Sequence, residues 1–279
     1  VPQDAGVMQL HSAAYRSPSQ LPPGAVLVVG AGSSGVQIAE ELCAAGRRVY
    51  LSVSSHGRPP RAYRGRDYVW WLGILNKWDL EATPESRHVT IAVSGANGGS
   101  TVDFRRLANG GITLVGTTDR YDNGTIRFAP DLAENLARGD RDYLAVLDEA
   151  DAFALANALD LPEEPGARDI PPDPPCVTEP ILELNVAATG ITSIVWATGY
   201  ERDYRWLKTD AVDAGGQPIH QRGVSAEPGI YFLGLPWLTR RASSFIWGVW
   251  YDAKYIADHI AKQRTYLAYQ PTAISGSGS

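Results

Sequence analysis

The sequence predicts an α/β fold with a parallel sheet buried on both faces. Its most diagnostic stretch begins with Ala25-Val26-Leu27-Val28-Val29, an unbroken apolar run of strand length. It leads straight into Gly30-Ala31-Gly32-Ser33-Ser34-Gly35. A helical pattern follows from Val36 to Ala45, with Val36, Ala39, Leu42 and Cys43 on one face and Gly46 as its stop. Arg48 to Val53 reads as the next strand, completing a β-turn-α-turn-β unit of about 30 residues.

The remaining elements follow from punctuation and periodicity. At roughly 150 residues per domain, 279 residues suggest about two domains. Residues 1–24 read as extended and irregular, broken by Pro18, Pro22, Pro23 and Gly24. Residues 56–66 form a basic loop, and 67–81, with Trp70, Trp71, Leu72, Ile74, Leu75 and Trp78, a short helix. Short strands are expected at Val89–Val93 and Ile112–Val115, with turns at Asn97-Gly98-Gly99 and Asn109-Gly110-Gly111. Asp131–Leu159 is the longest helical stretch. The proline-rich 162–180 reads as a linker crossing between domains. Strands are expected at Ile194–Tyr200 and Gly229–Gly234, and a closing helix over Ser243–Lys262. The final Ser-Gly repeat, within 271–279, reads as a tail or linker scar.

Composition narrows the function classes. Lys+Arg 25 against Asp+Glu 31 gives a net charge of −6, which argues against a nucleic-acid binder. Hydrophobic content of 44% with 20% charged residues fits a packed globular protein. Apolar runs stay well short of the ~18 residues of a membrane span. Cys43 and Cys176 are far apart, which argues against a disulfide framework or a dithiol centre. The five histidines lack metal-ligand spacing, so no metal is expected. Gly32-Ser33-Ser34-Gly35 is not a serine-hydrolase elbow. Export signals are lacking, and the cytoplasm is the default compartment.

The glycine run carries the chemistry. A tight turn after a buried strand needs glycine geometry, and Gly32 lets the backbone approach a pyrophosphate. Gly35 lets helix and strand pack closely, and the helix N-terminus presents N–H groups to the phosphates. Gly30, Gly32, Ser33, Ser34 and Gly35 are therefore the expected dinucleotide contacts. An NAD or FAD site usually places an acid about 20 residues on, for the ribose 2′-OH. Here Leu42 to Arg66 contains no Asp or Glu, but Arg47, Arg48, Arg58, Arg61, Arg64 and Arg66. Such a stretch suits a 2′-phosphate, with Ser54 and Arg58 as leading contacts, and so NADP(H). A solvated basic loop is the alternative.

These residues resemble the NADPH-binding glycine motif of flavin-containing monooxygenase-like proteins, in the bacterial branch described as flavoproteins of potassium transport. The matching run is Gly24 to Leu42. Four further motifs resemble that family in order. They are Gln9-Leu10-His11-Ser12-Ala13-Ala14-Tyr15-Arg16, Trp196-Ala197-Thr198-Gly199-Tyr200, Tyr231-Phe232-Leu233-Gly234-Leu235-Pro236-Trp237 and the helix from Ser243 to Lys254. Two features depart from it. Gly6 sits one residue too far from His11, and the family's first FAD-binding βαβ unit has no counterpart here.

The resemblance implies a two-dinucleotide-binding-domain flavoprotein, with a Rossmann-like NADP lobe inserted in an incomplete FAD lobe. Residues 1–23 would end the first FAD segment, 24–188 form the NADP(H) lobe, and 189–270 supply the C-terminal FAD part. Ala197, Thr198 and Gly199 would shape the domain junction, while Gly234 and Leu235 would lie near the flavin. The implied chemistry is NADPH reducing FAD, which then activates O₂ to oxygenate a small organic substrate. A regulatory, nucleotide-sensing flavoprotein subunit linked to ion transport is one alternative, and a truncated inactive fragment another. The absent FAD motif implies pairing with a separate N-terminal half or with a second copy. It also implies apolar, unpartnered edges on the strands at 194–200 and 229–234. His11 would face a flavin or nicotinamide, or else make a turn hydrogen bond. Tryptophans 70–78 and 237–250 would pack in cores, or Trp247 and Trp250 would wall a cavity.

Overall fold

The computed structural model describes residues 1–2, 6–83, 85–86, 92–95 and 98–269. Two compact units emerge: Val1–Trp71 with Val89–Tyr200, and Leu72–His88 with Glu201–Ser279.

The first unit is built on strands β1 (Met8–His11), β2 (Ala25–Val29), β3 (Val49–Ser52), β4 (Ile112–Val115), β5 (Thr118–Asp122), β6 (Thr125–Phe128), β7 (Glu183–Asn185) and β8 (Ile191–Trp196). Five of them form a parallel sheet in the order β1-β8-β2-β3-β4. The chain moves outward from β2 through β3 to β4, then returns to the other side of β2. The topological switch point therefore lies between β2 and β8, where open α/β sheets form their ligand crevice. The antiparallel sheet β7-β6-β5 covers one face.

The uninterrupted apolar run of β2 is explained by these two faces. Val26 and Val28 pack with Val36, Ala39 and Leu42 of helix α1 (Ser33–Ala44). The alternate residues Ala25, Leu27 and Val29 pack with Ile126, Phe128 and Leu184 of the antiparallel sheet. A period-2 strand covered on both sides must be apolar at every position.

Longer helices that belong wholly or partly to this unit include α2 (Tyr68–Ile74), α3 (Phe104–Asn109) and α4 (Leu132–Ala156). Asp103 caps α3, accepting from the Arg105 and Arg106 amides. One carboxylate joins α4 to its surroundings. Asp140 accepts from Arg58 at 2.9 Å and from Arg105 at 2.6 Å, and Arg105 also donates to Asp173 at 2.7 Å. Arg58 lies over the Tyr143 ring, 4.3 Å from its centroid, and donates to the Val102 carbonyl.

Several expectations change. The boundaries at 24 and 188 do not delimit a compact unit, because β1 and β8 lie in the same sheet as β2. The strand expected at Ile194–Tyr200 starts at Ile191 and is hydrogen-bonded on both sides, by β1 and by β2. It has no bare edge. The segment 162–180 does not cross between units. It stays on the first, where Tyr143 donates to the Ala167 carbonyl at 2.8 Å and Val177 enters the core. Most of Val89–Val93, Asn97 and the tail 271–279 fall outside the described residues.

The second unit is built around helix α5 (Val249–Ala268). Its buried Asp252 accepts from the Thr239 hydroxyl at 2.6 Å, and Trp78 packs edge-on against Phe245 at 5.0 Å. The closing helix begins later than Ser243 because the Ser243 hydroxyl accepts from the Thr239 and Arg240 amides, making a separate turn over Arg241–Ser244. Gly229–Gly234 is not a strand. Ile230 accepts from the Ser225 amide and Phe232 donates to the Gly223 carbonyl, so only Tyr231 bridges to Val224. Trp247 and Trp250 are largely exposed rather than core residues.

Asp140→Ala would strand two buried guanidinium groups together. We expect it to lower the unfolding free energy by about 3–5 kcal/mol in urea titrations.

Candidate functional site

The site forms where the parallel strands end. β2 finishes at Val29, and Gly30 turns the chain with φ +104°, in the region that favours glycine. The Gly30 amide donates to the Ser52 carbonyl at 3.2 Å, tying the turn to the end of β3. On the other side, the Ala197 amide donates to the Val29 carbonyl at 2.8 Å.

Both outer glycines are required by close approach. A Cβ on Gly30 would stand 2.4 Å from the Ala197 carbonyl oxygen. A Cβ on Gly35 would stand 1.8 Å from the Gly30 carbonyl oxygen, with the Ala197 methyl 3.3 Å away. Gly32 precedes α1 in an extended conformation with no side-chain cap, and the first turn holds no acid. An N-terminus left in that state suits an anion, because its amides and dipole favour negative charge. Ser33 and Ser34 are exposed there. The residues present thus fit a dinucleotide pyrophosphate.

Of the junction residues, Ala197 packs on the glycine turn, and Thr198 and Gly199 follow it, exposed. His11 makes the turn hydrogen bond: its Nδ1 accepts from the Ala13 amide at 3.2 Å, and its Nε2 donates to the Gly199 carbonyl at 2.9 Å. Both ring nitrogens are thereby occupied, and the ends of β1 and β8 are latched. Gly234 and Leu235 belong to the second unit.

The arginine reading changes most. Arg58 is buried and held by Asp140, Val102 and Tyr143, so it is not available to a 2′-phosphate. Arg61 pairs with Asp67, and Arg64 with Asp151 and the Leu161 and Pro162 carbonyls. Arg66 lies over Trp70. Arg47 and Arg48, at the start of β3, reach carbonyls of Gly24 and Thr189 at the opposite end of the sheet. Residues 47–66 are therefore largely a structural girdle.

The end of β3 is shaped instead by α4. Asn135 donates to the Val53 carbonyl at 3.1 Å, just before Ser54. Arg138, one turn on, donates to the Ser55 hydroxyl at 2.8 Å and stays half-exposed. Asp131 holds the start of α4, accepting from the Thr117 amide and hydroxyl at 2.9 and 2.6 Å. Burial opposes ionisation of Asp131, but those hydrogen bonds outweigh it and keep its carboxyl below the ordinary range. Ser54 is half-buried, and its carbonyl accepts from His56 Nδ1 at 2.8 Å. A Cβ on Gly139 would sit 2.8 Å from His56 Nε2, so the helix needs glycine there to pack this closely. Sequence reasoning missed Arg138 because it lies 83 residues from Ser55. Its only local signal is the Gly139 beside it in an otherwise regular helix.

Among the described residues, no cluster of His, Cys, Asp and Glu could hold a metal ion, and no helix is long and apolar enough to cross a membrane.

This arrangement is an α/β fold of Rossmann type, with a glycine turn at its switch point. No family model matches the chain. It is similar to an uncharacterized CzcO-like oxidoreductase of Geobacillus kaustophilus, 31% identical over 259 residues, which are 91% of this chain and 57% of that protein. An uncharacterized oxidoreductase CzcO of Bacillus velezensis is 31% identical over 257 residues, 90% of this chain and 56% of that one. The chain thus spans a little over half the length of these curated relatives. Its fold is like that of a mutant flavin monooxygenase from Stenotrophomonas maltophilia, with a TM-score of 0.50 and 17% identity over 94% of this chain and 56% of that one. Similarity to named oxidoreductases and the fold of a flavin monooxygenase coincide here, as the five motifs implied.

Burial lowers the pKa of His56 from 6.5, with a similar effect at His220. The unfolded chain then binds more protons below about 6.5 than the folded one, so stability falls as pH drops through that range. Thermal unfolding between pH 7.5 and 5 should show this fall, and His56→Leu should flatten it.

Proposed function

We propose that the chain carries the pyridine-nucleotide lobe of an NADPH-dependent flavoprotein oxidoreductase of monooxygenase type. The observation that carries this reading is the glycine turn at the switch point between β2 and β8, leading into α1 through the extended N-cap Gly32, with no acid in the helix's first turn. Gly30 and Gly35 let the turn, α1 and the end of β8 approach, and Gly32, Ser33 and Ser34 face the pyrophosphate. The absence of Asp and Glu from Leu42 to Arg66 favours a phosphorylated ribose over a free 2′-OH.

When bound, FAD would accept hydride from NADPH and supply the oxygen chemistry. The residues of this chain bind and orient the reductant; its own side chains offer no evident nucleophile or base for the reaction. Ala197, Thr198 and Gly199 border the nucleotide crevice, and His11 holds that border in place. We assign flavin contacts to Gly234 and Leu235 of the second unit. A small organic substrate and O₂ would be the co-reactants, and the cytoplasm the compartment.

Calorimetry with NADPH and NADH tests the reading, and NADPH should bind the tighter. Gly32→Val should abolish binding of both while leaving the circular dichroism spectrum intact, because a side chain there occupies the pyrophosphate's space. Equal binding of the two nucleotides would overturn the NADP(H) assignment, and normal binding by Gly32→Val would overturn the site.

A further inference from the structure

We infer that Arg138, carried on α4 rather than on the loop after β3, recognises the adenosine 2′-phosphate and sets the preference for NADP(H) over NAD(H). This rests on the dinucleotide reading above. In sheets of this topology the adenosine ribose lies at the carboxyl end of the strand following the glycine turn, and an arginine nearby accommodates the 2′-phosphate. That end is Ser52 to Ser55. The arginines near it in sequence are engaged elsewhere: Arg58 by Asp140, Arg61 by Asp67, Arg64 by Asp151 and Arg66 by the Trp70 ring.

Arg138 meets the requirement from another direction. Its Nη1 donates to the Ser55 hydroxyl at 2.8 Å, which places a half-exposed guanidinium on the turn that would face the ribose. Its nearest carboxylate, Glu134, is 3.8 Å away and is held more closely by Arg141, at 3.0 Å. A guanidinium with donors to spare can take a phosphate in fork geometry, with the Ser54 and Ser55 hydroxyls beside it.

The position is built rather than incidental. Asn135 on Val53, Asp131 on Thr117 and the close contact at Gly139 fix α4 against the ends of β3 and β4. The ligand chemistry is a phosphomonoester on a ribose 2′-oxygen, as found in NADP(H) and in 2′,5′-ADP.

The test measures dissociation constants of NADPH, NADH and 2′,5′-ADP for the full chain and for Arg138→Ala and Arg66→Ala. Arg138→Ala should weaken NADPH and 2′,5′-ADP by roughly 10- to 100-fold, the worth of a charge-assisted contact, and leave NADH unchanged. Arg66→Ala should leave the NADPH to NADH ratio as it is. Unchanged thermal unfolding of Arg138→Ala would show that the fold is intact. If the unaltered chain prefers NADPH and Arg138→Ala keeps that preference, the inference fails while the nucleotide reading stands. A parallel loss of NADH binding would assign Arg138 to structure and also overturn it. An unaltered chain that binds both nucleotides equally overturns the NADP(H) reading itself.

Discussion

The first unit depends on one crowded junction. The carbonyl of Gly30, the start of α1 at Gly35 and the end of β8 at Ala197 approach so closely that a Cβ on Gly35 would lie 1.8 Å from a backbone oxygen. This contact sets how near α1 comes to the sheet. It also sets where the helix N-terminus stands relative to the crevice between β2 and β8. Packing of Val36, Ala39 and Leu42 against Val26 and Val28 follows from that approach, because the helix can then lay its apolar face on the strand. Dense interiors leave little slack for such a contact to be made differently.

Around this junction the unit uses charge mainly for construction. Asp140 serves two guanidinium groups at once, and Asp151 serves Arg64 and Arg168 together with the Tyr63 hydroxyl. Burial raises the pKa of the Tyr63 phenol to about 12, reinforced by its hydrogen bond to Asp151. These ties join the 58–64 loop to α4. The same helix then reaches the end of β3, where Asn135 and Arg138 meet Val53 and Ser55. Structure and recognition thus share one element: the helix anchored by Asp131 and Asp140 carries the guanidinium that stands on the Ser54–Ser55 turn.

Latching of the sheet's other half is a backbone matter. β1 sits at the sheet edge, and His11 at its end spends both ring nitrogens on main-chain partners, one local and one at Gly199. That bond crosses between neighbouring strands far apart in sequence and fixes the segment after β8. The fingerprint around His11 is therefore part of how the crevice is walled.

By itself the sequence determined what local pattern can encode. Continuous apolar β2, the glycine run, α1 and the length of α4 follow from periodicity and from glycine's stereochemistry, which act within a few residues. Only tertiary structure decided the sheet's membership and the fate of its charges. Nothing local in Ile191–Trp196 names β2 as its partner, and Met8–His11 lies in a stretch that reads as irregular. Pairing the first with β2, and the second with the first, required distant parts of the chain to close. Six arginines in a row of twenty residues resembled a phosphate pocket, yet carboxylates, carbonyls and an aromatic ring take most of them. The physical reason is that a guanidinium binds any acceptor brought within reach. Which acceptor arrives is set by long-range packing, and for Arg58 it was Asp140, 82 residues away.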